Sequence, residues 1–385
     1  MLRSTMEAGR DEGGAVAGDL VGMVLAAGLG TRLRPLTERM PKPAVPVCGV
    51  PLLRYALGSL AGAGVRRVVV NAHHLAQALE RVARASAAAV GLELAVSHEP
   101  EIAGTGGALR EARPLLGGAA AIALWNGDVL FDLDLAPVVE DHRRSGALAT
   151  MVLAPMPAGA SWAAVEVDAG MAVRRIAGHG SGGRDLRPLH FTGVHVLSPE
   201  LLDAVPDAPF ACDVNRHVYP PLLAGGRVRG VVAGGYWNDL GSPERYLRAN
   251  LDVLAGRVPL ARLGGAGPFA GLVPAGPGAW RAADATLAEG ARLEGPYLLG
   301  PCARVEAGAA VGPWAVVGAG ATVRAGATVR RAVVWEDTEV RAGEELVDAV
   351  AAGDLRRVNQ ALVDAANEAG GSDNITSVLV QVLED

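Results

Sequence analysis

The stretch that decides the fold of the C-terminal part runs from Ala285 to Val329 and reads ATLAEG-ARLEGP-YLLGPC-ARVEAG-AAVGPW-AVVGAG-ATVRAG-ATV. The third residue of every hexad is Leu or Val, and the first is Ala in all hexads but one. After one slip the register resumes at Val334, Val340 and Leu346. An inward aliphatic residue every six positions, with a small residue at each corner, is typical of a left-handed parallel β-helix. We predict this fold for residues 281–350.

Upstream of the repeat, short apolar runs alternate with segments of helical periodicity. The runs have the length of buried strands and cover residues 21–27, 65–71, 92–98 and 120–124. This alternation predicts an α/β, Rossmann-like three-layer domain with a mainly parallel sheet between helices. Because such sheets bind ligands at the carboxyl ends of their strands, we expect the site near the turn at Gly28 and near Asp128.

Five segments follow from these patterns. Residues 1–20 are expected to be a disordered leader and residues 21–255 the α/β domain. Residues 256–280, rich in Gly, Pro and Ala, are expected to be a linker, and residues 281–350 the β-helix. The hexad rhythm is lost in the tail, 351–385.

Composition excludes several classes of protein. The 385 residues are 50% hydrophobic and carry a net charge of -6, which argues against wholesale disorder and against a general nucleic-acid binder. Three scattered cysteines argue against a disulfide scaffold or zinc ribbon and suit a cytoplasmic protein. The uncharged stretch 147–165 is interrupted by Pro155, Pro157 and Gly159, so we interpret it as strand–loop–strand and expect no membrane partner.

The first apolar run ends in Leu25-Ala-Ala-Gly-Leu-Gly-Thr-Arg-Leu33. A Rossmann fingerprint needs Gly or Ala where Leu33 stands, and the Gly-Lys-Ser/Thr of a Walker loop is absent. Two glycines still let backbone N–H groups approach phosphates, and Arg32 adds a guanidinium. On the glycine pair alone, an anion site and an ordinary tight turn stay equally open.

Lys42 is the only lysine among 35 basic residues. Arginine and lysine differ in shape, so a single Lys suggests a site that needs a compact ammonium. The alternative is chance survival under codon bias.

The longer string Leu25–Thr37, with Pro41-Lys42-Pro43, resembles the signature of the sugar-1-phosphate nucleotidylyltransferases, and is mannose-1-phosphate guanylyltransferase-like. Further segments resemble, in the family's order, its base-recognition loop, first metal segment, sugar-floor strand and second metal segment: Glu99–Ala108, Asn126–Asp128, Phe191–Val194 and Trp237–Gly241. The resemblance covers residues 21–254, and a β-helix is a common second domain in this family.

The resemblance implies that a sugar-1-phosphate oxygen attacks the α-phosphorus of a nucleoside triphosphate (NTP) and that pyrophosphate leaves. It implies catalytic roles for Arg32, Lys42, Asp128 and Asp239, with Mg²⁺ as cofactor held by the two aspartates. For either aspartate taken alone, a solvated turn or a helix cap is the alternative. The implied nucleotide-binding residues are Leu25, Ala26, Gly28, Gly30, Thr31, Glu99, Gly104 and Thr105, and the implied sugar-binding residues are Asn126, Glu166 and Gly193.

The sugar side departs from the family pattern. Many relatives have Glu-Lys-Pro where this chain reads Arg174-Arg175-Ile176. One of the two arginines is a candidate to replace the lysine, and Glu166 is a candidate for a sugar hydroxyl. A plain surface charge remains open for each.

Glu99 bears on the choice of base. A carboxylate accepts well from the paired N1–H and N2–H₂ donors of guanine, whereas uracil and thymine offer one N–H. We therefore expect GTP and mannose-1-phosphate as substrates. Some uridylyltransferases also have an acid here, so a uridylyl- or thymidylyltransferase acting on glucose-1-phosphate or an N-acetylated sugar-1-phosphate stays open.

Two other classes of function compete with this one. Hexad repeats also occur in acyltransferases, which usually need a His base, but no His follows His217. A non-catalytic scaffold homologue would be expected to lack Arg32, Lys42, Asp128 or Asp239, and all four are present. The β-helix is then interpreted as an oligomerisation or regulatory element of a homo-oligomer.

The tail carries a second resemblance. Leu362–Thr376 is similar to the C-terminal end of the protein phosphatase 2C family, in which the residue matching Asp373 binds metal. The earlier Asp-Gly-His-Gly motif of that family is absent, so we expect a non-catalytic fragment.

Overall fold

The computed structural model describes residues 19–156, 162–180, 185–207, 211–352 and 379–381. The α-helices are α1 (Leu52–Gly62), α2 (Ala76–Ala89), α3 (Gly104–Ala112), α4 (Ala136–Ser145), α5 (Pro220–Leu223) and α6 (Pro243–Leu254). The strands that precede α6 or lie between these helices are β1 (Asp19–Leu25), β2 (Pro46–Val47), β3 (Val50–Pro51), β4 (Arg67–Ala72), β5 (Glu93–His98), β6 (Ala119–Asn126), β7 (Leu130–Phe131), β8 (Ala149–Pro155), β9 (Ala164–Val167), β10 (Val173–Ile176), β11 (His179–Gly180), β12 (Arg187–Leu197), β13 (Val228–Val232) and β14 (Trp237–Asn238).

A ten-stranded sheet forms the centre of the N-terminal part. Its path is β11-β10-β9-β12-β6-β1-β4-β5, with β8 beside β12 and β13 beside β8. Strands β6, β1, β4 and β5 are mutually parallel, whereas β12 runs antiparallel to β6. The predicted α/β class is confirmed, with an antiparallel extension on one side.

Helices cover both faces of this sheet, because the parallel strands are apolar on both faces. Along β1, Leu20 and Val24 pack in one cluster with residues of α1, α2 and α4, whereas Val21 and Met23 pack in another with α3. This alternation is the two-residue period of a strand. The three layers leave the carboxyl ends of β1, β4, β5 and β6 at one edge, which forms the site.

The C-terminal part is a parallel β-helix, as the hexads predict. Its strands lie between Leu272 and Gln381 and are β15 (Leu272–Gly276), β16 (Ala279–Ala282), β17 (Thr286–Leu287), β18 (Arg292–Leu293), β19 (Tyr297–Leu299), β20 (Arg304–Val305), β21 (Ala310–Val311), β22 (Ala315–Val317), β23 (Thr322–Val323), β24 (Thr328–Arg330), β25 (Ala332–Val334), β26 (Glu339–Val340), β27 (Glu345–Val347), β28 (Ala349–Ala351) and β29 (Leu379–Gln381). They stack into three sheets, one for each side of the coil.

Successive coils are in register at a spacing of 18 residues. Val305 pairs with Val323 on one side and Val311 with Val329 on the next. The slip in the hexads is one missing residue, since Val317 pairs with Val334, 17 positions on. The inward aliphatic residues from Leu299 onward are buried, whereas Leu287 in the first coil is 37% exposed because no coil stacks on its other side.

The segment expected to be a linker contains ordered structure. It forms a 3₁₀ helix over Ala261–Ala266 and the antiparallel pair β15 and β16, and β16 pairs in parallel with β19 of one β-helix sheet. The sheet edge accepts these strands through backbone bonds, which composition does not reveal. At the N-terminus, strand β1 includes Asp19 and Leu20; the rest of the expected leader lies outside the described residues. So does most of the tail, including Asp373; within it, β29 pairs in parallel with β28.

One side of the β-helix packs against the N-terminal part. The middle residues of its strands, Leu298, Val316, Val333 and Val350, point outward and join a core cluster with Leu247 and other α6 side chains. Tyr246 connects both parts to the loop after Lys42: its hydroxyl accepts from Trp335 Nε1 at 2.8 Å and donates to the Pro46 carbonyl at 2.6 Å. The β-helix therefore supports the segment that carries the lone lysine.

No helix in the described ranges is long and apolar enough to cross a membrane.

Candidate functional site

A cleft of about 310 Å³ opens at the carboxyl ends of the parallel strands. Every implied nucleotide-binding residue lines it, together with Arg32, Lys42, Asn126 and Asp128. The full lining is Leu25, Ala26, Ala27, Gly28, Gly30, Thr31, Arg32, Lys42, Pro43, Asn71, Glu99, Ile102, Gly104, Thr105, Asn126 and Asp128. The fold thus brings residues from five segments of the sequence to one edge of the sheet.

Lys42 joins the two segments that contain the implied metal ligands. Its side chain is buried, with the residue 6% exposed, in a 3₁₀ helix over Lys42–Ala44. Nζ donates to Asp128 Oδ2 and to the backbone carbonyl of Asp239, each at 3.0 Å. Three of the four implied catalytic residues are therefore in direct contact, although 197 positions separate the first from the last.

Asp239 lies where β14 leads into α6 and does not line the cleft itself. Its Oδ1 accepts from Gly241 N at 3.2 Å and is ion-paired with Arg245 Nη1. Asp128 Oδ1 and Asp239 Oδ2 accept no hydrogen bond from the described residues. Each aspartate thus keeps one carboxylate oxygen for a further partner.

These two oxygens suit a hard divalent cation. Mg²⁺ is commonly held by one or two carboxylates, with water and substrate phosphates completing its shell. Across the parts of the chain that the structure describes, no three His, Cys, Asp or Glu side chains form a complete ligand cluster. The donor set therefore fits a cation that is held jointly with a bound phosphate.

A chain of hydrogen bonds links the far wall of the cleft to the Gly28 turn. Asn71 Oδ1 accepts from Ala26 N at 2.6 Å, and Asn71 Nδ2 donates to Glu99 Oε1 at 2.7 Å. Glu99 Oε2 accepts from Ala103 N at 3.1 Å, and the residue is only 5% exposed. Glu99 therefore holds the walls of the cleft in place through Asn71.

Helix α3 begins at the cleft and is fixed by a distant loop. Gly104 has φ of +76°, and a Cβ there would lie 2.5 Å from the carbonyl oxygen of Cys212. That carbonyl accepts from Gly106 N at 2.7 Å, and Thr105 Oγ1 accepts from Val214 N at 2.8 Å. Only glycine fits the first position, because the site needs both the left-handed backbone and the close approach.

The implied sugar residues separate into two places. Asn126 lines the cleft, and Gly193 lies against it, since a Cβ at Gly193 would be 3.1 Å from the Asn126 side chain. Glu166 does not line the cleft; its carboxylate pairs with Arg175 at 2.8 Å. Arg174 pairs with Asp168 at 2.7 Å. Both arginines that were candidates for the family lysine are thus engaged by neighbouring carboxylates.

Sequence reasoning missed Asn71, Arg245 and an aromatic cluster beside Asp239. The rings of His190, Trp162 and Trp237 contact one another, with centroids 4.3 to 5.3 Å apart, and the Arg245 guanidinium lies 5.1 Å from the Trp162 ring centre. The sequence does carry a signal for Asn71, because it is a polar residue near the end of a buried strand that lies beside the Gly28 turn. The aromatic cluster had none, since it joins three separate segments.

Comparisons with known proteins agree with this geometry. Residues 21–256 match the family model described as nucleotidyl transferase. The chain is 30% identical over 234 residues to the mannose-1-phosphate guanylyltransferase catalytic subunit beta of Danio rerio, which covers 58% of this chain and 62% of that protein. It is 31% identical over 246 residues to the mannose-1-phosphate guanylyltransferase of Mycobacterium tuberculosis, covering 63% and 67%. A UTP–glucose-1-phosphate uridylyltransferase of Synechocystis is 28% identical over 346 residues, covering 86% and 87%.

Proposed function

The chain belongs to the nucleotidyl transferase family, and on this premise we propose that it transfers a nucleotidyl group from an NTP to a sugar-1-phosphate. One observation carries the proposal: Lys42 Nζ contacts both the Asp128 carboxylate and the Asp239 backbone, at the end of a cleft lined by the Gly28 turn. A sugar phosphate and an NTP are both anions, so the main task of the site is to neutralise charge and align the two.

Each group in the cleft would have a separate role, which depends on its position. Lys42 is buried at the junction of the two aspartate segments, where its ammonium would neutralise the α-phosphate. Arg32 lies on the cleft wall at the end of the glycine turn, where its guanidinium would hold the leaving pyrophosphate. Backbone N–H groups of the Leu25–Thr31 turn would bind the remaining phosphate oxygens.

Asp128 and Asp239 would hold Mg²⁺ through the oxygens that Lys42 and Arg245 leave uncommitted. When bound there, the cation supplies charge neutralisation at the reacting phosphate. Each carboxylate is paired with a cation, Asp128 with Lys42 and Asp239 with Arg245.

We propose GTP and mannose-1-phosphate as the substrates. The names of the zebrafish and mycobacterial relatives support this pair. A uridylyltransferase is the second candidate, because the Synechocystis relative matches 86% of this chain and so extends well past residue 256. The match spans only 62% of the zebrafish protein's own length, so the proposed activity rests on the residues of the cleft and not on similarity along the whole chain.

We also propose a cytoplasmic location. The chain's three cysteines are all free, as expected there.

The test is pyrophosphate release by the purified protein at saturating Mg²⁺. Each of ATP, GTP, CTP, UTP and dTTP is combined with mannose-1-phosphate, glucose-1-phosphate or N-acetylglucosamine-1-phosphate. The proposal expects the highest kcat/KM for GTP with mannose-1-phosphate. A preference for UTP with glucose-1-phosphate selects the second candidate. No release with any pair, from protein that is folded by circular dichroism, contradicts transferase activity altogether.

A further inference from the structure

The second substrate of the proposed reaction needs a cation of its own. Two anions meet at the site, and the cations that line the cleft, Arg32 and Lys42, are both assigned above to the NTP. Arg174 and Arg175 do not line the cleft, and each is ion-paired with a neighbouring carboxylate. A sugar-1-phosphate therefore requires a further positive group beside the reacting phosphates.

Arg245 has the donors that such a group needs. It lies in the first turn of α6, and its side chain is 40% exposed. Nη1 is ion-paired with Asp239 Oδ1, beside the implied metal ligand that lies outside the cleft. Nε and Nη2 donate no hydrogen bond to any residue that the structure describes. These two nitrogens form one edge of the guanidinium, and such an edge binds two phosphate oxygens at once.

Three aromatic rings hold this guanidinium in place. Its Cζ lies 5.1 Å from the ring centre of Trp162, which contacts His190 and Trp237 at centroid distances of 4.5 and 5.3 Å. Trp237 Nε1 donates in turn to the Thr192 carbonyl at 2.7 Å. An aromatic ring thus fixes one face of the guanidinium and the Asp239 carboxylate fixes one edge, so little side-chain entropy is left to lose when an anion binds.

The same contacts connect Arg245 to the strand implied to lie under the sugar. Thr192, which accepts from Trp237, is next to Gly193. A Cβ at Gly193 would lie 3.1 Å from the side chain of Asn126, which lines the cleft. Arg245 therefore belongs to the sugar side of the site.

Asp239 is itself an anion, so its charge must be offset before a phosphate can bind beside it. The charge of Arg245, together with that of a divalent cation on Oδ2, balances the carboxylate and a phosphate dianion. We propose that Arg245 binds the phosphate of the sugar-1-phosphate through Nε and Nη2, with Trp162 as a positioning residue. This assignment rests on the proposed function and names the group that holds its second substrate.

The test measures binding without turnover, by isothermal titration calorimetry of the full chain at saturating Mg²⁺. The α,β-methylene analogue of GTP or UTP fills the cleft without being cleaved, and mannose-1-phosphate or glucose-1-phosphate is then titrated. Arg245→Met keeps the apolar stem and is expected to raise the Kd of the preferred sugar phosphate about tenfold or more, with the Kd of the nucleotide analogue within about twofold. Arg245→Lys keeps the charge but not the paired donors and is expected to lie between.

Two further variants accompany these. Arg248→Met, at a 74% exposed arginine on the same helix, is the matched control and is expected to leave both Kd values unchanged. Trp162→Leu removes the ring and leaves the charge, and it is expected to raise the Kd of the sugar phosphate alone, by about threefold. This variant decides the matter if Arg245→Met does not fold, since an unchanged Kd would then overturn the proposal.

An unchanged Kd for the sugar phosphate in folded Arg245→Met also overturns the proposal. So does a loss that a higher Mg²⁺ concentration restores, because Arg245 would then act only by orienting Asp239. A wild type that binds the nucleotide analogue but neither sugar phosphate contradicts the proposed function, and this assignment with it, before any variant is compared.

Discussion

Lys42 is placed where shape counts as much as charge. Its compact ammonium fits between the Asp128 carboxylate and the Asp239 carbonyl, whereas a planar guanidinium is longer and would displace one of them. Lys42→Arg is therefore expected to lower kcat by about a hundredfold despite the retained charge. Steady-state kinetics measure this, with Arg32→Lys as the converse exchange at an exposed position. Near-normal activity of Lys42→Arg would mean that the lone lysine is an accident of codon usage.

Glu99 is expected to act on every nucleotide, because it holds the cleft through Asn71 and Ala103. Glu99→Gln places an amide N–H₂ opposite one of two donors, Asn71 Nδ2 or the Ala103 N–H. Loss of such a buried bond costs about 1–3 kcal/mol, so KM is expected to rise about ten- to a hundredfold for GTP and UTP alike. Glu101→Gln, an exposed neighbour, is the control. A rise for GTP alone would assign Glu99 to direct contact with guanine.

His142 makes the stability of the fold depend on pH. Burial, with a smaller contribution from Arg143, lowers the pKa of His142 to about 4, and its ring contacts Thr150 Oγ1 and Ser198 Oγ at 2.9 and 3.2 Å. The unfolded chain takes up this proton near pH 6.5 and the folded chain does not, so stability is full above pH 6.5 and falls as the pH drops toward 4. Between pH 7 and pH 5 the loss from this group is about 2 kcal/mol.

Denaturant unfolding at both pH values measures that loss. His142→Gln is expected to have a shallower pH slope than the wild type, whatever its absolute stability. His195, whose pKa burial lowers to about 3, remains in both proteins and contributes equally. Identical slopes would show that His142 titrates normally in the folded state.

At the scale of elements, α3 depends on the glycine at its start. Gly104→Ala pushes a methyl group against the Cys212 carbonyl that caps the helix, and is expected to raise the KM for NTP at least tenfold and to lower Tm. Gly91→Ala is a matched control, with φ of +74° and no heavy atom within 4 Å of the added Cβ; it bears only the backbone cost, about 1–2 kcal/mol. Similar KM values for the two variants would show that the start of α3 does not contribute to nucleotide binding.

The elements were largely predictable because their signals are local. Helix α6, for example, begins after Ser242 with Pro243, two residues that favour a helix start, and one of its faces is apolar. The hexads predicted the β-helix and its inward row. They also carry a signal for the docked face: every third hexad has an apolar residue at the outward position, as at Val316 and Val333, and this row packs against the N-terminal part.

The site was predictable only where family motifs carry it. The position of Glu99 on the cleft follows from the resemblance of Glu99–Ala108 to the family's base-recognition loop, and that of Asp128 follows also from the carboxyl edge of a parallel sheet. The Arg175–Glu166 pair and the Asn71 bridge arise from tertiary contacts between segments that no local pattern connects. The roles of the implied site residues remain predictions.

For the whole molecule, the tail is expected to be dispensable for catalysis. The cleft is lined by residues 25–128, with Asp239 beside it, and β29, the described part of the segment to be deleted, pairs with β28. Deleting residues 356–385 should leave kcat/KM within about twofold of the intact protein, while the uncovered edge promotes self-association. Turnover and sedimentation over a range of concentrations measure the two effects. A deletion variant that is folded but inactive would show that the tail completes the site.

The coil spacing also sets how this protein can change in length. Each turn of the β-helix consumes 18 residues, or 17 where one corner is tightened, and every turn offers the next an equivalent platform. Adding or removing a whole turn keeps the inward rows in register, whereas an arbitrary insertion within a strand would shift inward side chains to the outside. The length of the β-helix can therefore change only by whole turns and not by single residues.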